Sequence, residues 1–130
     1  MATKYTFGNQ ERLKSSLTIQ DLLKSGKVVS EFPLKIYWSI STDPQQNFPA
    51  RVAISVPKRK FKKAVDRNLM KRRIRESYRQ NKDLIYDPLR QKKLNVELII
   101  LFLSDEFISF DGLNISIRKL LQKLANNLPQ

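Results

Sequence analysis

The residues of this sequence that could do chemistry are cations, and most of them lie in one stretch. Thirteen of the 25 lysines and arginines fall between Arg51 and Lys82, where Asp66 and Glu76 are the two acids. The whole chain of 130 residues has a formal net charge of +13. Because the charge is local, it indicates a polyanionic partner, either a nucleic acid or an anionic membrane surface.

Side chains suited to catalysis are scarce by contrast. The sequence contains no cysteine and no histidine, which excludes thiolate metal sites, Cys or His nucleophiles and the usual imidazole general base. Asp66 and Glu76 share one predicted helix, and we interpret them as a complement to the helix dipole and as an ion-pair partner. Paired carboxylates at metal spacing are missing, which disfavours a self-sufficient metal-dependent nuclease. We therefore predict no catalytic residue and no metal ligand in the chain.

A helix is predicted to carry the densest part of the charge. Residues 62–80 contain neither Gly nor Pro, and Pro57 is expected to end the strand before them. At about 100° per residue, Met70, Ile74 and Ser77 fall on a face that can pack on a sheet. The adjoining arc of about 140° holds Arg67, Asn68, Lys71, Arg72, Arg75 and Arg79.

Nucleic acid is the favoured partner of this cationic arc. Cations four residues apart on a helix repel by a few tenths of a kcal/mol per pair, which favours an external anion over a merely solvated face. A membrane-surface helix is less favoured, because the apolar side lacks the Trp and Phe typical of a lipid interface. RNA is favoured over DNA, because no zipper or helix-turn-helix is recognisable. Flexible contact with an RNA backbone also suits the preceding loop, which contains Lys58, Arg59, Lys60, Lys62 and Lys63.

The segments before the basic helix predict the elements that position it. Thr18 begins a capping-box pattern and Gly26 is a stop signal, which predicts a short helix over residues 18–25. Residues 33–41 and 51–56 alternate apolar and polar side chains and predict two half-buried strands. The polar loop between these strands would join them as a hairpin.

The rest of the chain predicts a sheet with helices packed on it. Residues 95–103 form an almost unbroken apolar run, typical of a strand covered on both faces. Residues 109–128 repeat apolar side chains at spacings of three and four, which predicts an amphipathic helix. We interpret residues 83–95 as a mixed connection and expect a short extra strand near residues 27–30. This order indicates one α+β domain over residues 1–130, with a mixed sheet of about four strands.

The ends of the chain carry no signal for export or membrane insertion. The N-terminal segment lacks the apolar region of a secretory signal, and no stretch reaches the roughly 18 apolar residues of a membrane span. We therefore expect a cytoplasmic location and no membrane partner.

The basic segment also matches a known signature. A strand ends in Ser55-Val56, a basic loop follows, and the pattern A-V-x-R-N-x-x-K-R-x-x-R-E runs from Ala64 to Glu76. An early R-L-K precedes the short helix, and an apolar strand and helix come late in the chain. In these features the sequence, over about residues 7–124, resembles the protein subunit of bacterial ribonuclease P.

The resemblance implies a ribonucleoprotein endoribonuclease that removes the 5′ leader from precursor tRNA. The RNA subunit and its Mg²⁺ ions would perform the hydrolysis, and the protein would bind no cofactor while lowering the Mg²⁺ requirement. The implied partners are ribonuclease P RNA and precursor tRNA, with no small-molecule substrate. The implied fold has the order αβββαβα with a left-handed βαβ crossover, like the second domain of small-subunit ribosomal protein five. A structural RNA-binding protein without a catalytic partner, such as a ribosomal protein, fits the charge equally well.

The resemblance divides the expected site residues into two groups. The RNA subunit would bind the five cations of the basic loop together with Arg67, Asn68, Lys71, Arg72, Arg75 and Arg79. A cleft between the first helix and the sheet would hold the single-stranded leader through Ile19, Leu23, Lys35, Tyr37, Ser55 and Lys58. Strand alternation also places Lys35, Tyr37 and Ser55 away from the core. For Tyr37 the alternative is an aromatic ring covered by the first helix.

This sequence departs from the family pattern at a few positions. Leu69 replaces a common arginine of the signature, and Phe61 stands for a usual Gly in a loop that is one residue longer. Ile19 and Leu23 replace the Phe residues that often face the leader. We expect these two side chains to offer apolar contact without stacking.

Overall fold

The computed structural model describes residues 7–129 of the chain, which contain both helices and strands. No helix in this range is long and apolar enough to cross a membrane. The elements are a 3-10 turn (Asn9–Glu11), α1 (Ser16–Ser25), β1 (Lys27–Glu31), β2 (Leu34–Ile40), β3 (Ala50–Ser55), α2 (Ala64–Asn81), α3 (Asp83–Lys92), β4 (Val96–Phe102) and α4 (Phe110–Asn126).

The four strands form one mixed sheet in the order β1-β2-β4-β3. β2 pairs with β1 and β4 in antiparallel fashion, while β3 pairs with β4 in parallel. The predicted α+β class and mixed sheet of about four strands are confirmed. The predicted hairpin between residues 33–41 and 51–56 is wrong, because β4 lies between β2 and β3. β4 is apolar on both faces and is best buried at the centre of the sheet, which separates the two strands that neighbour each other in sequence.

One face of the sheet, the core face, packs against α2 and α4. Leu34, Ile36 and Trp38 point from β2 into this core and are almost completely buried. Met70 and Ile74 meet them from α2. The predicted amphipathic C-terminal helix is confirmed, and it buries Leu113, Ile117, Leu120, Leu121 and Leu124.

A further helix lies in the segment that was expected to be a mixed connection. α3 buries Ile85, Tyr86 and Leu89 and packs beside α4. Pro88 lies inside α3, and it hides the helix from sequence reading because an interior proline removes a backbone donor and usually ends a helix. Burial of three large side chains outweighs that loss. The element order therefore contains two consecutive helices between β3 and β4.

α1 begins two residues before the predicted start. Ser15 is the N-cap residue, and its Oγ accepts a hydrogen bond from the Thr18 N–H at 3.3 Å. Thr18 therefore lies in the first turn and is not the cap. The predicted stop at Gly26 is confirmed. A Cβ atom at this position would lie 2.6 Å from the Leu22 carbonyl oxygen, which explains why glycine stands there.

The other face of the sheet, called the open face below, is turned away from α2 and α4. α1 packs over its middle, where Leu13, Leu22 and Ile99 form a small second apolar cluster. Three rows of side chains cross the open face from β2 through β4 to β3: Lys35–Leu101–Ser55, Tyr37–Ile99–Ala53 and Ser39–Glu97–Arg51.

Candidate nucleic-acid interface

Helix α2 has the two faces that its spacing predicts. Met70, Ile74, Ser77 and Tyr78 are buried against the core. The cationic arc lies on the accessible side, where Asn68 and Arg72 are exposed and the half-buried members are Arg67, Lys71, Arg75 and Arg79. Asp66 lies in the first turn of the helix, where its charge complements the helix dipole as predicted.

The basic loop, residues 57–63, is folded against the body of the protein. The N–H groups of Lys60 and Phe61 both donate to the Pro57 carbonyl oxygen, at 3.0 and 3.3 Å. Phe61 is buried, with 5% of its surface exposed. Arg67 Nη1 donates to the carbonyl oxygens of Phe61 at 2.8 Å and of Lys62 at 2.9 Å. The loop cations are exposed except for Lys60, which is half-buried.

Two other arginines of α2 are held by hydrogen bonds within the protein. Arg73 Nη1 donates to the Ile108 carbonyl oxygen at 2.8 Å. Arg79 forms an ion pair with Glu76 through Nε and Nη2, which confirms Glu76 as an ion-pair partner. Hydrogen bonds from Arg79 and Gln80 hold the pKa of Glu76 below its usual value. Arg79 is the one of these two arginines that the sequence predicts to bind RNA. Because its Nε and Nη2 groups donate to Glu76, it has fewer N–H groups available for RNA than the exposed Arg72.

A groove of about 410 Å³ joins α2 to the open face around the outer edge of β3. Its apolar lining includes Leu13, Ile19 and Ala53, and its cations are Arg12, Lys14, Lys71 and Arg75. None of the groove's lining residues is acidic within the described range. Partial burial and the nearby charge of Arg12 lower the pKa of Arg75. The groove therefore concentrates positive charge beside an apolar floor.

Arg12 and Lys14 were missed as site residues by the sequence reasoning. Both are exposed, whereas Leu13 between them is buried. The Leu13 N–H donates to the Val52 carbonyl oxygen at 3.0 Å, which fixes this segment along β3. The R-L-K pattern was visible in the sequence, and its alternation is the signal that could have identified an apolar anchor between two outward cations.

The expected leader residues do not all lie together. Lys35 and Ser55 occupy one row of the open face, and Lys58 follows at the start of the basic loop. Tyr37 is half-buried beside the cluster under α1, with Lys35 Nζ 5.0 Å from its ring centroid. Tyr37 is therefore partly covered by this cluster, and its role in binding the leader stays a prediction. Ile19 lines the groove, but Leu23 points outward and is 47% exposed.

Leu101 and the polar end of the open face were also missed. Leu101 lies between Lys35 and Ser55 and is half-buried. It could have been inferred from β4, since in a strand that is apolar on both faces alternate residues must face away from the core. At the other end, Arg51 lies 2.8 Å from Asp43 and 3.7 Å from Glu97. These carboxylates make that end less favourable for phosphate than the Lys35 end.

Known proteins match the chain over nearly its whole length. A family model for ribonuclease P covers residues 7–125. The chain belongs to the ribonuclease P protein family. The ribonuclease P protein component of Porphyromonas gingivalis is 30% identical over 131 residues, which cover 99% of this chain and 95% of that protein.

Solved structures of ribonuclease P proteins share the fold. The protein from Thermotoga maritima superposes with a TM-score of 0.69 at 24% identity, over 87% of this chain and 96% of that chain. A variant from Staphylococcus aureus, described as defective in mRNA degradation, gives a TM-score of 0.67 at 24% identity. That superposition covers 89% of this chain and 88% of the other.

The structure locates the departures from the ribonuclease P signature. Leu69 is half-buried on α2 but lies outside the face formed by the buried Met70, Ile74, Ser77 and Tyr78, at a position where the signature commonly has an arginine. Phe61 places an aromatic ring in the protein interior where a glycine has no side chain. Within residues 7–129, no cluster of three or more His, Cys, Asp or Glu side chains could hold a metal ion.

Proposed function

We propose that the chain is an accessory subunit of ribonuclease P that helps remove the 5′ leader from precursor tRNA in the cytoplasm. The observation that carries the proposal is the family signature folded as α2, with its cations gathered on one accessible side. Arg72 and Asn68 are exposed there, and the basic loop leads directly into the helix. Guanidinium groups bind phosphate oxygens in a planar fork, which suits the backbone of a large RNA.

The RNA subunit is the proposed partner of α2 and of the basic loop. The five loop cations and the arc from Arg67 to Arg79 present charge over one continuous stretch of chain. Contacts of this kind bind RNA through phosphates, so affinity should fall steeply as salt rises. Arg72 is expected to make such a contact, whereas Arg67 acts partly through the loop carbonyl groups that it binds.

The single-stranded leader is the proposed ligand of the open face. Lys35, Leu101 and Ser55 form one row, and Lys58 follows Ser55 by three residues. The half-buried Tyr37 lies in the next row of the same face. Aromatic rings and cations side by side are typical of platforms for single-stranded RNA. The groove lined by Arg12 and Arg75 connects this platform with α2, so one RNA–leader assembly could contact both surfaces.

The chemistry of hydrolysis is assigned to the RNA subunit and its Mg²⁺ ions. Two carboxylates close to the proposed RNA surfaces form ion pairs with arginines: Asp43 with Arg51, and Glu76 with Arg79. The role proposed for the protein is to hold RNA and leader together. By supplying positive charge at the RNA surface, it would reduce the Mg²⁺ concentration that the RNA needs for folding and activity.

Reconstitution with a bacterial ribonuclease P RNA tests this function. We expect the protein to lower the Mg²⁺ concentration needed for leader removal, and Arg72→Ala to weaken that effect. Arg118→Ala is a matched control, because Arg118 is an exposed arginine of α4 outside the proposed surfaces. An RNA whose activity and Mg²⁺ dependence do not respond to the protein would overturn the proposal. RNA copurified with the protein should be ribonuclease P RNA, and ribosomal RNA alone would favour a structural role.

A parallel reaction with protein alone tests the accessory role. The Staphylococcus aureus variant described as defective in mRNA degradation makes this reaction necessary. We expect no cleavage of precursor tRNA or mRNA by the purified protein. Cleavage that survives stringent purification, and whose rate is proportional to the protein concentration, would instead assign nuclease activity to the chain.

A further inference from the structure

The basic loop has an apolar residue at its centre that the proposed RNA contacts do not use. Phe61 is flanked by Lys60 and Lys62, yet its ring is buried. The ring centroid lies 5.8 Å from that of Phe102 at the end of β4 and 5.0 Å from that of Phe107. A polybasic loop that only needed flexible contact with phosphate would not require such an anchor.

The backbone of the loop is held from a second direction. Arg67 Nη1 binds the carbonyl oxygens of Phe61 and Lys62, and the N–H groups of Lys60 and Phe61 bind Pro57. One guanidinium nitrogen therefore bridges the carbonyl groups of two consecutive residues, the anchor Phe61 and Lys62. Arg67 is turned toward the loop, although the signature places it on the cationic arc.

The partner surface of the ring is itself tied to α2. Phe107 belongs to the segment between β4 and α4, and the next residue, Ile108, accepts a hydrogen bond from Arg73 at 2.8 Å. α2 therefore holds the basic loop through Arg67 and the opposing segment through Arg73. Phe61 and Phe107 meet between them, with Phe107 still 53% exposed.

We propose that Phe61 is a positioning residue that holds the basic loop in one conformation for binding to the RNA subunit. Five like charges within six residues, from Lys58 to Lys63, repel one another and would extend a free loop. The aromatic anchor and the Arg67 bridge oppose that extension. A loop ordered in advance loses less conformational freedom on binding, which raises affinity without adding any contact. This inference rests on the proposed function and deepens it.

The salt dependence of binding separates positioning from contact. Phe61→Ala removes the anchor and leaves every cation in place. At a temperature where the variant is folded, we expect its affinity for ribonuclease P RNA to fall by about tenfold. The slope of log affinity against log salt should stay unchanged, because the number of neutralised phosphates is the same. Arg59→Ala, by contrast, should give a shallower slope.

A control variant that is destabilised elsewhere tests whether lower stability alone would weaken RNA binding. Leu124→Ala creates a cavity near the far end of α4, where Leu124 is completely buried, and it leaves the basic loop untouched. We expect it to lower the melting temperature while leaving RNA affinity unchanged. Equal affinities for the Phe61→Ala and Leu124→Ala proteins would overturn the positioning role. A shallower salt slope for Phe61→Ala would do so as well, since it would mean that contacts were lost.

Two further measurements keep the inference testable whatever the first variant does. Trypsin should cut between Lys58 and Lys63 faster in folded Phe61→Ala than in wild type, and faster than in Leu124→Ala. The cleavage rate reports on the order of the basic loop even if the wild-type protein fails to bind the RNA. Failure to bind would contradict the proposed function and not the positioning of the loop. If Phe61→Ala does not fold, Arg67→Lys carries the test, because it keeps the charge and loses the two-carbonyl bridge. We expect weaker binding with an unchanged slope, and unchanged binding would overturn the inference.

Discussion

The cationic side of α2 and the open face of the sheet differ in how their residues reach solvent. On α2 the charged side chains project from one helix, and Arg72 and the neutral Asn68 are exposed. On the open face Tyr37 is half-buried against the apolar cluster of Leu13, Leu22 and Ile99. The first surface consists of charge on a single helix, and the second exists only because separate elements are packed together.

This difference predicts two kinds of binding energy. Charge contacts on α2 release counterions and weaken as salt rises. Contacts on the open face combine apolar burial at Leu101 and Ile19 with stacking on Tyr37, and these depend less on salt. The groove with Arg12 and Arg75 lies between the two surfaces and shares features of both.

The largest expected effect, on the stability of the fold, comes from breaking the buried contact between Glu11 and Lys82. This contact joins the segment that carries Arg12 to the end of α2. Glu11 Oε1 accepts hydrogen bonds from Lys82 Nζ at 2.5 Å and from the Tyr86 hydroxyl at 2.6 Å. Glu11 and Lys82 are only 1% and 3% exposed. Breaking a buried pair by changing one partner costs about 3–5 kcal/mol. We therefore expect Glu11→Gln to lower the free energy of unfolding in urea by about that amount.

Glu31→Gln is the matched carboxylate-to-amide control for that measurement. Glu31 pairs with Lys123 at 2.8 Å on the protein surface, where solvent screens the interaction. We expect this variant to unfold almost like wild type. Similar losses in the two variants would mean that the segment carrying Arg12 is not fixed by its buried carboxylate.

The next largest effect is expected at Tyr37. Stacking on an aromatic ring is worth about 1–3 kcal/mol per base, so Tyr37→Ala in the reconstituted complex should weaken precursor tRNA binding by roughly tenfold. Mature tRNA lacks the leader, and its affinity should hardly change. Tyr37→Phe keeps the ring and should bind like wild type. If the ratio of precursor to mature tRNA affinity is the same in wild type, Tyr37→Ala and Tyr37→Phe, the leader does not bind at the open face.

Two arginines of α2 should respond differently to the same substitution. The Arg72 side chain is exposed and makes no hydrogen bond within the described part of the chain, so Arg72→Ala should reduce the salt slope of RNA binding by about 0.7 to 0.9 and leave the melting temperature unchanged. Arg67→Ala should lower the melting temperature too, because two loop carbonyl groups lose their donor. Thermal unfolding followed by circular dichroism, with Arg118→Ala as control, measures this contrast. Identical behaviour of the two variants would contradict it.

The smallest effect is expected at Glu76. Its lowered pKa keeps the carboxylate ionised at neutral pH, where it places a negative charge beside the cationic arc. Exposed ion pairs contribute about 0.2–1 kcal/mol, so Glu76→Gln should change the melting temperature only slightly. RNA affinity should rise modestly, because the substitution removes a negative charge beside the cationic arc. A fall in affinity would show that the ion pair with Glu76 orients Arg79 for binding.

Features of single segments were predictable from the sequence. The two faces of α2, the alternation of β2 and the burial of β4 follow from local periodicity. The predicted hairpin was wrong because strand pairing depends on which strand buries the most apolar surface at the centre of the sheet, and that strand is β4. α3 was missed because Pro88 is a local signal against a helix, whereas Tyr86 and Leu89 are buried by tertiary packing.

The site residues show the same division. Arg72 and Asn68 could be placed on a surface from helical spacing alone. The groove could not be predicted, because it joins Arg12 to Arg75, and the segments are brought together only by folding. The inward direction of Arg67 also depends on the course of the basic loop, which no periodicity describes.

The position of β3 at the edge of the sheet has a consequence for solubility. Edge strands present unpaired backbone groups that can recruit a strand from another molecule. Here the chain at Arg12 and Leu13 runs along the outer side of β3 and pairs with it at Val52, while Arg12 and Lys14 place charge beside that edge. The N-terminal segment therefore protects the protein against edge-to-edge aggregation. Replacing both Arg12 and Lys14 by serine, which leaves Glu11 in place, should produce association that grows with protein concentration, even in the absence of RNA.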